Sequence, residues 1–251
     1  MLIPIEVLSK TFSIEPSGIL HVGAHLGEER SEYIANQWGR IGGVVWIEAQ
    51  SDLCDQLKRN FDDSFPFETV INALVWNEDG RKKDFFIANS TQSSSLLKFG
   101  THLKLYPKIS TINSITLETV RLDSLLAGNV LFQQFDFVNL DIQGAELQAL
   151  EGMGELLSKV KWVYSEVNFA EVYEDCAHVI EIDKYLRQFG FIRVLTKLSA
   201  RGGWGDALYV RNPSLKLRIE SFCWSTTDQL SELSKSTSAL LRKIKKRTCG
   251  G

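Results

Sequence analysis

The sequence predicts an α/β fold: a doubly wound, mostly parallel sheet of seven strands that closes with an antiparallel hairpin. Two observations lead to this prediction. Short apolar runs alternate along the chain with helix-like segments of 10–15 residues, which is the pattern of βαβ units and a parallel sheet. The last two apolar runs, 191–198 and 206–212, are joined only by the Gly-rich SARGGWG. Because a parallel pair needs a crossover of a dozen or more residues, these two runs predict an antiparallel hairpin.

The strands are predicted from short runs of β-branched and aromatic residues that are bounded by turn residues. A turn at NEDG (77–80) separates two such runs, and the polar segment NSTQSSS (89–95) follows the second. The predicted strands are 19–22, 42–49, 67–75, 81–88, the start of 116–126, 135–142, 161–168, 191–198 and 206–212.

The helices are predicted from apolar residues at helical spacing and from their end signals. The first opens with acidic residues, which helix N-termini favour. The second places Leu53, Leu57 and Phe61 on one face, with Ser51 as the expected N-cap. The last two stop at glycine. The predicted helices are 27–38, 51–61, the end of 116–126, 145–153 and 178–190.

Charge divides the chain of 251 residues unevenly. It carries 28 Lys+Arg and 31 Asp+Glu, but residues 213–251 have a balance of +5 and residues 1–212 one of −8. We therefore expect a helical lead-in at 1–17, one folded domain at 18–212 and a basic tail. The tail has a weak amphipathic helical pattern at 226–247. Such a helix would suit an anionic membrane surface or a partner helix, although a solvated extension is the simpler interpretation.

Composition excludes several classes of protein. Hydrophobic residues make up 44% and charged residues 24%, as in a globular chain rather than a disordered or fibrous one. The four cysteines form no C-x-x-C pair, so neither a zinc ribbon nor a redox dithiol is indicated, and a reducing, cytoplasmic location is expected. The acidic body argues against a nucleic-acid partner. The sequence shows no signal-peptide pattern and no apolar run near ~20 residues, so we expect no membrane span.

The first candidate site is the turn after the first strand, because ligands of open α/β sheets bind beyond the carboxyl ends of the strands. The turn reads G-x-x-x-G, with Gly23 and Gly27 on either side of Ala24 and His25. The dinucleotide fingerprint needs a glycine where the pyrophosphate touches the backbone. This turn therefore disfavours a pyrophosphate and suits a smaller adenosine ligand. An ordinary strand–helix turn is the alternative.

Acidic residues end several of the predicted strands. Glu48 lies 21 residues after Gly27 and ends the second strand, where a carboxylate can accept both ribose hydroxyls. A solvated strand end is the alternative. Asp141, in LDIQGAE, places its carboxylate on the rim of the site, and Glu166 ends the next strand. Glu146 is better explained as an acid at a helix N-terminus.

These motifs, in their order and spacing, resemble the FkbM-type S-adenosylmethionine methyltransferases over about residues 18–212. The most specific match is a D-x-Q-G-A-E segment followed by S-E-V-x…Y. The resemblance implies a Rossmann-like class I methyltransferase fold, S-adenosylmethionine as cofactor, and O-methylation of a hydroxyl on a sugar, polysaccharide or secondary metabolite. The matching segments are ILHVGAHLGEE, VVWIEA, NALVWNEDG, TQSSSLL, TVRLDSLL, FVNLDIQGAELQALEGM, VYSEVNFAEVY and FGF…WGDALYV.

The resemblance also implies roles for individual residues. Glu48 would hold the ribose, and Asp141 would lie beside the reacting methyl group. Many methyltransferases have an acid where this chain has His21, which puts the expected contact to the methionine amine in doubt. Gly23, Ala24 and Gly27 would follow the methionine part of the cofactor, and Asn72 and Ala73 would flank the adenine.

Methylation of an alcohol needs a base, because an alcohol is a poor nucleophile, and its oxygen must lie in line with the S–CH3 bond. The candidate catalytic bases are Asp141, Glu166 and His25, in that order. Asp141 and Glu166 could also hold Mg²⁺ through hard oxygen ligands. The spacing fixes no third carboxylate, so a metal site is not favoured.

The predicted acceptor is a hydroxyl on a small molecule or glycan. Segment 89–95 could hydrogen-bond a sugar, and Tyr173 or Trp204 could stack on one, although a solvated loop and core packing would give the same sequence. An NAD(P) dehydrogenase is disfavoured, because G-x-G-x-x-G is absent. An amine methyltransferase is also disfavoured, because no N-P-P-[YF] motif occurs. A non-catalytic protein that binds an adenosyl ligand or a partner on this fold is the remaining alternative.

Overall fold

The computed structural model describes residues 1–214 and Leu217. It confirms the predicted α/β fold. The helix predicted at 226–247 lies outside the described residues, as does nearly all of the basic tail at 213–251. In the part of the chain that is described, no helix is long and apolar enough to cross a membrane.

The described residues form ten strands in two sheets. Apolar residues dominate the central strands, which are buried on both faces as in other parallel sheets. The strands are β1 (Gly18–Val22), β2 (Gly43–Glu48), β3 (Glu68–Asn72), β4 (Leu74–Val75), β5 (Lys82–Ala88), β6 (Thr111–Val120), β7 (Phe137–Leu140), β8 (Trp162–Asn168), β9 (Phe191–Leu198) and β10 (Trp204–Arg211).

The main sheet has seven strands in the order β3-β2-β1-β7-β8-β10-β9. The first five of these are parallel to one another. Strand β10 runs antiparallel to both of its neighbours, β8 and β9. The short Gly-rich connection thus forms the predicted hairpin, and β10 is inserted between β8 and β9. The carboxyl ends of β1, β2, β7 and β8 meet along one edge of the sheet.

The helices flank this sheet and are shorter than predicted. The predicted helix at 27–38 begins only at Arg30, because Gly27 is left-handed (φ 71°) and its N–H closes a turn onto the carbonyl of Ala24. Ser51 is the first helical residue rather than the N-cap, and Gln50 takes the cap position. The helices are α1 (Ile5–Phe12), α2 (Arg30–Ala35), α3 (Ser51–Lys58), α4 (His102–Leu105), α5 (Leu122–Ala127), α6 (Glu146–Met153) and α7 (Val179–Arg187).

A second, three-stranded sheet in the order β4-β6-β5 lies beside the main one. The sequence predicted one strand over 67–75, but this strand divides at Ala73. The N–H of Ala73 donates to the carbonyl of Glu48 on β2, whereas Leu74 and Val75 pair with the end of β6. The division sends the chain from the main sheet into the second sheet beside the end of β2.

Two apolar cores lie on opposite faces of the main sheet, as expected for a doubly wound fold. Leu20 and Val22 of β1 point to one core, which is filled from α5, α6 and α7. Ile19 points to the other, which includes side chains from α1, α2 and α3. The lead-in at 1–17 belongs to this second core, because Ile5 and Leu8 are completely buried in it.

Candidate active site

The glycine turn after β1 is fixed by its two neighbouring strands. The N–H groups of Gly23 and Ala24 both donate to the carbonyl of Ile47 on β2, at 2.9 and 3.0 Å. Gly23 has a φ of 85°, and a Cβ on it would lie 1.9 Å from the carbonyl oxygen of Asp141 after β7. Only glycine fits there. This close approach brings the predicted cofactor turn directly against the predicted catalytic acid.

Glu48 ends β2 with a buried side chain that faces this turn. One carboxylate oxygen accepts the N–H of His25 and the other accepts the N–H of Gln50, each at 2.9 Å. Burial raises the pKa of Glu48, and these two hydrogen bonds oppose that shift. A carboxylate has about four acceptor positions, so both oxygens can accept further hydroxyl donors.

A first cavity opens between the ends of β1, β2 and β7, with about 550 Å³ of space including its mouth. One side is polar and the other is apolar. Ala24, Gly27 and Asn72 are not part of its lining, although we predicted all three as cofactor contacts. Its lining includes Gly23, Ile47, Glu48, Ala73, Phe85 and Asp141.

Asn72 instead supports the backbone beside the cavity. Its amide nitrogen donates to the carbonyl oxygens of Glu48 and Ala49, both at 2.9 Å. The side chain therefore fixes the end of β2, from which the Glu48 carboxylate projects. Ala73, the next residue, does line the cavity.

Asp141 and Glu166 are joined by the amide of Gln143. The Gln143 Nε2 donates to Asp141 Oδ1 at 2.7 Å and to Glu166 Oε2 at 3.1 Å, and its Oε1 accepts the hydroxyl of Tyr173. Burial and the nearby carboxylate of Asp206 raise the pKa of Asp141 to about 6. Burial, Asp141 and Glu146 raise the pKa of Glu166 well above its usual range. Burial among like charges thus raises the pKa of both carboxyl groups.

Glu146 has a structural role, as the sequence indicated. Its buried carboxylate accepts the N–H groups of Ile142 and Gly144, all at 3.1 Å. Burial nevertheless raises its pKa to about 7. The side chain therefore holds the turn between β7 and α6, which carries Gln143 in a left-handed conformation with a φ of 58°.

His25 connects the glycine turn to the hydroxyl-rich segment 89–95. Its Nδ1 lies 2.6 Å from Glu28 Oε1, and its Nε2 lies 2.7 Å from the hydroxyl of Thr91. Gln92 also donates to Glu28, at 3.1 Å. Burial lowers the pKa of His25, but its hydrogen bond to Glu28 and the nearby carboxylates outweigh burial and raise it. Both ring nitrogens make hydrogen-bond contacts, so His25 connects the glycine turn to segment 89–95.

His21 is on β1, two residues before Gly23. Many methyltransferases have an acid at this position. The His21 ring packs against Trp46 at 4.9 Å between centroids, and Nδ1 lies 3.2 Å from the hydroxyl of Tyr33. Burial lowers the pKa of His21 to about 4. The side chain is therefore a neutral imidazole at ordinary pH.

A second cavity of about 1150 Å³, including its mouth, adjoins the first. The wall common to both contains Asp141 together with His25 and Gln143. Segment 89–95 contributes to both cavities. The remaining walls include Glu29, His102, Tyr106, Glu166, Tyr173 and Trp204.

Sequence reasoning missed several residues of this site. Gln143 lies inside the D-x-Q-G-A-E segment, so the segment itself was the signal. Glu28 lies three residues after His25, so their spacing was a local signal. Thr91 becomes a partner of His25 only through the fold. Among the described residues, no group of three or more His, Cys, Asp and Glu side chains is arranged to hold a metal ion.

The fold and the two adjoining cavities place this chain among the Rossmann-like methyltransferases. The Methyltransferase FkbM domain matches residues 21–193. The chain therefore belongs to the FkbM methyltransferase family.

Individual relatives agree with this assignment. The chain is 30% identical over 139 residues to the 2-O-methyltransferase NoeI of Sinorhizobium fredii, a match that covers 55% of this chain and 53% of that protein. The match thus spans about half the length of this curated relative. The crystal structure of Methyltransferase FkbM from Methylobacillus flagellatus KT superposes with a TM-score of 0.50 at 15% identity, over 77% of this chain and 43% of that chain. This likeness shows the fold alone.

Proposed function

We propose that this chain binds S-adenosylmethionine in the first cavity and transfers its methyl group to a hydroxyl of a sugar, polysaccharide or secondary metabolite in the second. One observation carries the proposal: two cavities adjoin at a wall that contains Asp141, which faces both. The curated relative is named a 2-O-methyltransferase, which supports oxygen as the accepting atom. Residues 18–212 are the proposed catalytic unit.

The first cavity has the chemistry that an adenosyl ligand needs. The Glu48 carboxylate can accept the two ribose hydroxyls, as acids at the end of this strand do in nucleoside-binding folds. Ile47, Ala73 and Phe85 offer an apolar surface for the adenine ring. Of the two acids that line this cavity, Asp141 also lines the second cavity and Glu48 does not. The residues present thus fit this cofactor.

Asp141 is the proposed base. S-adenosylmethionine supplies a methyl group that is electrophilic because it is bound to a sulfonium. Asp141, with a pKa raised to about 6, is ionised at neutral pH and can accept the proton of the acceptor hydroxyl. The hydrogen bond between Gln143 and Glu166 holds that amide beside Asp141. His25 closes segment 89–95 over the cavity rather than acting as the base.

A magnesium ion between Asp141 and Glu166 is not part of this proposal. The Nε2 of Gln143 donates to both carboxylates, so an amide occupies the position where a bridging cation would have to bind.

The test is calorimetric titration with S-adenosylmethionine, S-adenosylhomocysteine and NADH. The variants are Glu48→Ala and Glu48→Gln, with Glu15→Gln, an exposed position, as the matched control. Thermal unfolding checks that each variant folds. We expect both adenosyl ligands to bind wild type and Glu15→Gln with micromolar affinity, both Glu48 variants to bind at least ~10-fold more weakly, and NADH not to bind.

Absence of binding by both adenosyl ligands would overturn the proposal. Binding without methyl transfer to any acceptor would instead favour the non-catalytic alternative. The transfer assay uses labelled S-adenosylmethionine and neutral, cationic and anionic glycosides, so that the two outcomes are separated.

A further inference from the structure

The second cavity has one acidic side and one aromatic side. Asp141 and Glu166 lie on the acidic side, and the carboxylate of Asp206 stands behind them, because Asp206 pairs directly with Glu166 across β10 and β8. On the aromatic side, the Trp204 indole donates to the hydroxyl of Tyr106 at 3.1 Å. Aromatic faces opposite hydrogen-bonding groups suit a ring with an apolar face and a hydroxyl edge.

His102 adds an independent sign of a ligand. It lies on the aromatic side of the cavity, only 5% exposed, and its ring stacks on Phe99 at 4.7 Å between centroids. Its Nδ1 is buried and has no hydrogen-bond partner among the described residues. Burial lowers the pKa of His102, so the ring is neutral. A buried polar group without a partner is costly, so a hydroxyl-bearing ligand that reaches this ring would supply the missing partner.

The cations around the cavity are few and already paired. No lysine or arginine side chain of residues 1–214 is part of the lining. The α-amino group of Met1 pairs with Glu29 at 3.0 Å, and His25 pairs with Glu28. Arg201 packs on the ring of Tyr106 and donates to a backbone carbonyl, but it is not part of the lining. The charge facing a ligand therefore comes from Asp141, with Asp206 behind it.

An anionic ligand would find poor conditions here. Phosphate and carboxylate groups are normally bound by arginine, lysine or clustered backbone N–H groups. Among the described residues they would face carboxylates of the same sign and no unpaired cation in the lining, in a partly desolvated cavity where such repulsion is strong. A neutral ring, or one with an amino group, meets no such cost.

We propose that the acceptor unit of this enzyme is a sugar ring free of phosphate, sulfate and carboxylate groups, and that the second cavity rejects anionic acceptors. This inference rests on the proposed function and specifies its substrate class. The neutral or amino-bearing ring stacks against Tyr106 and Trp204, hydrogen-bonds to His102, and presents one hydroxyl to Asp141.

The experiment measures ternary binding to the full chain loaded with S-adenosylhomocysteine. The probes are the methyl glycosides of glucose, galactose and mannose, each as the neutral hexoside, the 2-amino sugar and the uronate. Saturation-transfer NMR detects binding and titration gives the affinity. We expect the neutral or amino member of at least one series to bind roughly tenfold or more tightly than its uronate.

A gain-of-function variant makes the test sharper. Ser93 lines the second cavity, so Ser93→Lys adds an unpaired cation to a lining that has no lysine or arginine among residues 1–214. It should strengthen uronate binding and weaken binding of the amino sugar. Ser114→Lys, at an exposed position on β6, is the matched control and should change neither.

The outcomes distinguish this inference from the proposed function. If S-adenosylhomocysteine does not bind, the proposed function fails. If it binds but a uronate binds as tightly as its neutral partner, or no glycoside binds, only the present inference is overturned. Equal effects of Ser93→Lys and Ser114→Lys would also contradict the inference. The effect of the added lysine would then not depend on its place in the second cavity.

Discussion

The Nε2 of His25 lies 2.7 Å from the hydroxyl of Thr91, and this hydrogen bond joins two chain segments that wall both cavities. His25 follows β1 and Thr91 belongs to segment 89–95, which extends from the second sheet. Neither cavity can open on this side without separating the two residues. The bond therefore ties the glycine turn to segment 89–95, and under the proposed function it should slow exchange of the cofactor.

Thr91→Val should speed release of the cofactor product. The change removes one hydroxyl at nearly constant shape, and a hydrogen bond of this kind contributes about 0.5–1.5 kcal/mol. We expect S-adenosylhomocysteine to dissociate roughly 2–10-fold faster, measured by stopped-flow displacement. Thr111→Val, at an exposed position at the start of β6, is the control. Equal dissociation rates in the two variants would show that the bond does not restrain the segment.

Asp141→Asn should abolish most methyl transfer but leave the fold intact. A general base contributes about 10²–10⁴-fold, and asparagine cannot accept the proton. We expect at least a ~10²-fold loss of kcat for the best glycoside acceptor. Glu166→Gln should lose far less, because Glu166 lines only the second cavity, whereas Asp141 lines both. If Glu166→Gln were the more damaging change, the base assignment would have to be reversed.

The same acid predicts the pH dependence of the reaction. The pKa of Asp141 is raised to about 6, mainly by burial, and only the ionised carboxylate can accept a proton. kcat/KM should therefore be level above pH 7 and fall about tenfold per pH unit below about 6. Initial rates at constant ionic strength give this profile. A profile that stays flat down to pH 5 would contradict the assignment.

Stability should fall as the pH rises through the range in which Glu146 ionises. Its pKa is raised from 4.5 to about 7, so between these values the folded state binds more protons than the unfolded state. The contribution of Glu146 to the free energy of unfolding is thus complete below pH 4.5. It is lost as the pH rises to 7 and above. The loss over the whole range is on the order of 3 kcal/mol.

The measurement is urea unfolding of the wild type and Glu146→Gln at pH 5 and pH 8. Glutamine keeps one acceptor oxygen for the N–H groups of Ile142 and Gly144, but it does not titrate. The drop in unfolding free energy from pH 5 to pH 8 should be smaller in the variant. Equal drops in both proteins would mean that Glu146 is not the titrating group.

The sequence predicted the parts of the site that depend on single strands. Glu48 and Asp141 each end a buried strand, and parallel strands bring such ends to one edge, so their proximity followed from the fold class. The glycine turn after β1 was also predicted from its position at the end of a strand. The contact that requires glycine there differs from the one we expected. Gly23 was expected to let a ligand approach, whereas the atom that excludes a side chain is the carbonyl oxygen of Asp141.

The remaining features depend on contacts between distant segments. His25 and Thr91 are 66 positions apart, and no periodicity relates them. The break at Ala73 arises because one N–H bonds to β2 while the next residues pair with β6, a competition that the apolar run 67–75 does not reveal. Asn72 was expected beside the adenine, but two backbone carbonyls hold its side chain.

Gly23→Ala should be far more destabilising than the same change at Gly202. Both glycines have a positive φ, 85° and 74°, so both variants bear the left-handed strain of about 1–2 kcal/mol. A Cβ at Gly202 would meet nothing within 4 Å, whereas at Gly23 it would lie 1.9 Å from the Asp141 carbonyl. Relieving that clash must separate β1 from β7, at a cost of more than about 3 kcal/mol in all.

Urea unfolding measures the stability of both variants. Calorimetry should show that Gly202→Ala keeps its S-adenosylhomocysteine affinity while Gly23→Ala loses it. Similar stability losses at the two positions would mean that the turn yields without moving the strands.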